Sequence, residues 1–209
     1  MSAQEVQHAV CSPLCVVPPI ELMRLGLRTG ALLFDPWEHY QKQSFRNRYH
    51  ILTANGVKAL SIAVKHSGGK HVPSAEVRIS RDKPWLRDHL RGIRAAYGSA
   101  PYYIHYREAV EELLSHGASS LGEFFEYTFD HWCALLGVEL KYELSGSYCE
   151  GDYDWDLRKR IKRPEDFPVI KAMEPYPQVF EDRSGFCPSL SVIDLLFNTG
   201  PEAGRLLVS

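Results

Sequence analysis

The chain has no apolar run of about 18 residues, so nothing in it reads as a transmembrane helix. It has almost no charge imbalance: 24 Lys and Arg against 26 Asp and Glu leave a formal charge of -2, which exerts no global pull on nucleic acid or on an anionic membrane. It has no C-x-x-C pair. The five cysteines, Cys11, Cys15, Cys133, Cys149 and Cys187, are odd in number, which excludes a simple disulfide framework and predicts reduced thiols in a cytosol. The first ten residues, with Gln4, Glu5, Gln7 and His8, lack the basic-then-apolar layout of a secretory signal, so a cytoplasmic location is expected. No G-x-x-x-x-G-K-[ST] phosphate loop, internal repeat, low-complexity tract or shift in composition occurs, and one domain over residues 1–209 is the expectation.

What is present suits a soluble chain with a full core: 44% apolar residues, with 11 Tyr, 9 Phe and 4 Trp. Cys11 to Val17 reads as a buried strand stopped by Pro18-Pro19, and Ile20 to Leu27 as a short helix closed by Gly26 or Gly30. Ala31 to Phe34 is a second buried strand that delivers Asp35 at its end. Tyr49 to Leu52 and Val57 to Val64, split by Asn55-Gly56, carry a hairpin signal, and Glu76 to Ile79 alternates like another strand. The middle is helical: Pro84 to Tyr97, then Tyr103 to Ser115 with Gly117 as its cap. A third helix enters through the capping box Ser120-Leu121-Gly122-Glu123 and runs to Gly137. Val138 to Leu144 returns to strand character, Gly146 to Lys171 reads as a long loop, and a helix from Ser189 to Asn198 ends at Gly200. The predicted class is α/β or α+β: a single domain with a mixed sheet flanked by helices and a helical middle segment.

Asp194 is the most informative residue. It falls inside Val192-Ile193-Asp194-Leu195-Leu196-Phe197, where an unpaired charge would cost several kcal/mol, so it must find donors or a cation. Ser191 to Asp194 also suits a helix cap, and the two roles stay open. Tyr176 and Gln178 alternate along an extended segment and join Asn198 in a polar cluster. Lys42, Arg46, Asn47 and Arg48 follow the Asp35 strand end, where ligands of α/β sheets sit. Paired cations there suit a phosphate or carboxylate clamp, or a solvated loop. Trp85, His89, Ile93 and Tyr97 recur every four residues on one helix face, making His89 either a satisfied core residue or the best general base. Tyr102, Tyr103 and Tyr106 form an elbow suited to interhelical packing or to stacking on a sugar. His66 and His71 flank a glycine loop without a third ligand, so no metal set is assigned, and no cofactor is indicated. The basic run Arg158-Lys159-Arg160 with Lys162-Arg163 is interleaved with acids and reads as a solvated loop. Cys187, near a helix start, is a weak nucleophile candidate.

Several separated pieces resemble the WbqC-like family in the same order. They are Lys42, Phe45 and Asn47-Arg48; Trp85 and His89; Tyr97 with Ala100 to Tyr103; and Leu136 to Val138. The last and most specific comprises Tyr176, Gln178, Phe186, Pro188, Leu190-Ser191, Asp194 to Leu196, Asn198 and Gly200. The family's opening His-Gln-Pro pattern is replaced by Cys11-Ser12-Pro13, and the stretch after Leu144 carries the basic run instead. The resemblance implies a link to bacterial surface polysaccharide, or O-antigen, synthesis and to transfer of a small acyl or aminoacyl group onto a nucleotide-linked amino sugar. Under that implication Arg46 and Arg48 hold phosphate, His89 or Asp194 deprotonates the attacking amine, Tyr103, Tyr176 or Gln178 contacts the sugar, and Lys42, Asn47 and Asn198 complete the substrate-binding set. The expected partner is a small molecule rather than nucleic acid or membrane. The replaced opening motif motivates an alternative, a non-catalytic binding or assembly module that keeps the fold.

Overall fold

The structure, a computed structural model, describes residues 9–65, 71–158, 166–167 and 173–209. Its centre is a short parallel sheet in the order β5-β2-β1-β6, from β1 (Val10–Ser12), β2 (Leu32–Phe34), β5 (Tyr142–Leu144) and β6 (Trp155–Asp156). Cys11 pairs with Leu33 on one side and with Asp156 on the other. An antiparallel hairpin, β3 (Arg48–Thr53) and β4 (Gly56–Ser61), forms a separate two-stranded sheet. The α/β class is as expected, with parallel and antiparallel pairing divided between two sheets.

Helix α1 (Ile20–Thr29) links β1 to β2, closing as Gly30 donates its N–H to the Gly26 carbonyl at 2.9 Å. Between β2 and β5 come the hairpin, α2 (Trp85–Tyr97), α3 (Tyr103–Ser115) and α4 (Leu121–Leu136). The capping box forms: Ser120 Oγ accepts from the Glu123 N–H at 3.2 Å, while Glu123 reaches back to the N–H of Ser119, one residue earlier than the ideal pattern. The buried stripe of α4 then lays Phe125 and Phe129 against Phe34 of β2, with ring centroids 4.6 and 5.0 Å apart. A short helix α5 (Glu181–Ser184) precedes α6 (Val192–Thr199), whose every residue is buried, the polar Asp194, Asn198 and Thr199 included. At the hairpin turn Gly56 has φ +92°, a left-handed conformation that a residue with a Cβ rarely adopts.

Several local expectations shift. The strand read as Cys11 to Val17 is confined to Val10–Ser12, because Pro13 has no N–H for the ladder; the residues after it are buried but irregular. Glu76 to Ile79 is not a strand. A 3-10 turn spans Ser74–Glu76, and only isolated bridges, Arg78 to Ser120 and Val64 to Ile79, follow. The hairpin's second strand ends at Ser61, and His116 rather than Gly117 caps α3, which keeps its expected span. The stretch read as a long loop contributes β6, where Trp155 and Leu157 donate to the carbonyls of Ala9 and Cys11. Beyond Gly200 the chain continues helically into α7 (Ala203–Val208).

Candidate functional site

A groove of about 450 Å³ runs between the hairpin and the first turn of α2, lined by Asn47, Ser61 to Val64, Lys83, Pro84, Trp85 and Asp88. On the hairpin side the Ile62 N–H donates to the Asn47 carbonyl at 2.8 Å, and the Asn47 side-chain Nδ2 donates to the Ile62 carbonyl at 2.9 Å. That leaves Asn47 Oδ1 buried, with no hydrogen-bond partner among the described residues. The Trp85 indole N–H is committed to the Ser80 carbonyl, which holds the half-buried ring on the rim; Lys83 and Asp88 are exposed beside it.

His89 lies one layer beneath, packed edge-on against Trp85 and Tyr49. Its Nε2 faces the Ser61 carbonyl at 3.2 Å; a carbonyl only accepts, so Nε2 carries the proton. Nδ1 is therefore the acceptor for the Tyr49 hydroxyl at 3.0 Å. Burial pushes this imidazole down to about 4, with the Ser61 carbonyl opposing the shift. His89 is thus neutral with both nitrogens engaged. Arg48 is half-buried and donates from Nε to Ser61 Oγ at 3.1 Å. Asn47, Arg48 and His89 are accordingly brought together around one strand end.

Asp194, Tyr176, Gln178 and Asn198 gather elsewhere. Asp194 is fully buried and accepts from Tyr97 Oη at 2.8 Å, Tyr176 Oη at 2.7 Å and Gln178 Nε2 at 2.8 Å. Its carboxylate goes to these side chains rather than capping the first turn of α6. Its pKa rises because of burial, which the donors only partly offset. Gln178 also exchanges two hydrogen bonds with the backbone of Cys187, and Asn198 donates to the Asp194 carbonyl at 2.8 Å. Tyr97 closes the cluster by accepting the Leu52 N–H of β3 at 3.0 Å. The cluster reads as a sealed junction of α2, β3, α6 and the 176–187 segment. Tyr97 is the member that sequence reasoning did not assign to it, although its place on the Trp85–His89–Ile93 face was visible.

The remaining candidates separate further. Arg46 is buried and grips Glu38 with two bonds of 2.6 Å, while also donating to Ser44 and to the Arg158 carbonyl. Lys42 is exposed on the preceding loop, and Tyr103 packs edge-on against Phe197. Arg158, read as part of a solvated run, is instead buried between Asp35 at 2.8 Å and a two-point contact with Asp156, under the rings of Tyr148 and Tyr153. Lys159 to Arg163 and His66 to Lys70 lie outside the described residues. Cys187 is half-buried, and burial followed by the Asp194 charge raises its thiol pKa, opposite to what a nucleophile at a helix start needs.

Among the described residues no helix is long and apolar enough to cross a membrane. No solved structure matches the chain significantly. An uncharacterised protein of Mycobacterium tuberculosis is 22% identical over 198 residues, which cover 82% of this chain and 84% of that protein. The model of the WbqC-like protein family matches residues 16–166, which takes in the hairpin, the groove and all of α1 to α4. With that share of its length matched, the chain belongs to the WbqC-like protein family.

Proposed function

We propose that the chain is a transferase that binds a nucleotide-linked amino sugar in the groove between the hairpin and α2 and directs a small acyl or aminoacyl group onto the sugar's amine, in surface polysaccharide synthesis. The observation that carries this reading is the groove lining itself, which sets a cation, Lys83, and an aromatic face, Trp85, beside the polar side chains of Asn47 and Asp88. Trp85 offers a stacking surface, Lys83 suits phosphate, Arg48 holds the Ser61 hydroxyl of the groove wall, and Asp88 suits the ammonium or a hydroxyl of an amino sugar. His89 and Asp194 serve as positioning residues, because both are engaged and neither lines the groove.

Titration calorimetry with nucleotide-linked amino sugars tests this, with Asn47→Leu and Lys83→Ala expected to weaken binding at least about tenfold, the equivalent of one lost charged or buried polar contact. No binding by any of them, or binding indifferent to both substitutions, would sink it. The engagement of both His89 nitrogens favours a second reading, a binding module without turnover. Incubation with activated acyl donors separates the two: amide formation on the bound sugar supports transfer, and tight binding without product supports the module.

A further inference from the structure

We infer that Cys11, Asp35 and Cys149 form a binding site for a divalent transition metal, zinc first among them. The three come from β1, from the residue after β2 and from the loop before β6, yet the two sulfurs and a carboxylate oxygen all lie within 4.8 Å of one another. Ligand atoms around a tetrahedral zinc stand roughly 3.5–3.8 Å apart, given Zn–S near 2.3 Å and Zn–O near 2.0 Å, so the ion would need only a small contraction. Cys11 and Asp35 are fully buried and Cys149 is 7% exposed, at the C-terminal edge of the parallel sheet, where such folds bind ligands.

The surroundings are built as the outer shell of a metal site is built. Asp35 Oδ2 accepts from the Cys149 N–H at 3.0 Å and from Arg158 Nη1 at 2.8 Å, which fixes the carboxylate and brings the Cys149 backbone to it. Oδ1 accepts the Trp37 N–H at 3.0 Å and keeps a lone pair for a metal. Arg158 Nη1 also donates to the Cys149 carbonyl, so one guanidinium orients two of the three ligands. Binding M²⁺ to two thiols forms two metal–sulfur bonds and releases two protons, and no oxidant is needed. Two thiolates and a carboxylate against the ion leave one negative charge, which lies beside the Arg158 guanidinium that Asp35 shares with Asp156. Soft sulfur ligands favour zinc, cobalt or copper(I) over magnesium and calcium. Three protein ligands leave a fourth position for water or a ligand atom.

The test uses the full chain, reduced and stripped with a chelator, then titrated with Co²⁺. One equivalent should bind, with a sulfur-to-cobalt charge-transfer band in the near ultraviolet and the intense visible bands of four-coordination, both erased by Zn²⁺. Cys11→Ser and Cys149→Ser should each weaken uptake by on the order of 100-fold, whereas Cys133→Ser and Cys187→Ser should leave it unchanged. Asp35 also anchors Arg158, so Asp35→Asn is read only where circular dichroism shows it folded. Absence of the band in the folded, reduced wild-type chain overturns the site. So does a band that survives in the Cys11→Ser/Cys149→Ser double variant, or a Cys11–Cys149 disulfide forming in air when the reduced chain takes up no metal.

Discussion

Removing one oxygen atom at Tyr97 should cost more than removing one at Tyr176, although both phenols donate to the same carboxylate. Tyr97→Phe deletes the donor to Asp194 Oδ1, a hydrogen bond to a charged group worth about 1.5–3 kcal/mol. It also strips the acceptor from the Leu52 N–H, leaving a buried amide unpaired for about 1–3 kcal/mol more. The combined loss is about 2.5–6 kcal/mol. Tyr176→Phe deletes only the donor to Oδ2, since Gln178 Nε2, its other neighbour, keeps Asp194 and the Cys187 carbonyl; about 1.5–3 kcal/mol is expected. Urea unfolding followed by tryptophan fluorescence measures both. The folded-state pKa of Asp194 is raised, so its contribution is fully present below the unfolded value and is lost as pH rises through the folded one. Losing a donor raises that pKa further, so the Tyr97→Phe deficit should be larger at neutral pH than in mildly acidic buffer. Equal costs for the two variants, or a Tyr97→Phe cost that grows on acidification, would refute a charged Asp194 held by donors alone.

Three further outcomes follow from single contacts. His89 is depressed to about 4 from an ordinary value near 6.5, so its stabilisation is full above the ordinary value and fades as pH falls toward 4. Wild type should lose about 3 kcal/mol over that window relative to His89→Gln, as read from urea midpoints across pH. Arg46→Lys keeps the charge but loses the fork on Glu38, and should lower unfolding free energy by about 2–3 kcal/mol; an unchanged urea midpoint would contradict the buried pair. Gly200→Ala places a Cβ inside the Tyr102 ring at φ +52°, so a loss of about 2 kcal/mol or more in thermal or urea melts is expected.

Local signals carried most of the secondary structure. Gly30, Ser120 with Glu123, Gly137 and Gly200 bound their helices because caps act within one turn of the chain, and Asn55-Gly56 set the hairpin for the same reason. The need of Asp194 for donors was legible from its apolar neighbours, but not that Tyr97 would supply one, because the partner lies on a helix far away in sequence. Strand β6 escaped notice because two residues carry no periodicity; its place is set by the edge that β1 leaves open. Arg158 read as solvated because its sequence neighbours are charged; one of them, Asp156, pairs with it, but burial comes from Asp35 on a distant strand end, which the sequence does not show. Cys11, Asp35 and Cys149 lack any ligand spacing, since three segments of a parallel sheet edge assemble them.

Under the proposed function His89, which first suggests chemistry, and Tyr97 brace the groove rather than act in it. Helix α2 is tied to the hairpin at both ends. Near its start, His89 bridges the Ser61 carbonyl of β4 and the Tyr49 hydroxyl of β3; at its last residue, Tyr97 takes the Leu52 N–H of β3. Asn47 and Trp85 both line the groove whose walls those ties hold, so under the proposed function little ordering entropy would oppose a ligand. Substituting His89 should therefore weaken ligand binding by loosening the wall that carries Trp85. The effect should survive at any pH where the protein is folded, whereas loss of a proton-transferring base would leave binding intact and abolish turnover alone. Binding and turnover measured side by side in His89→Gln distinguish a brace from a base.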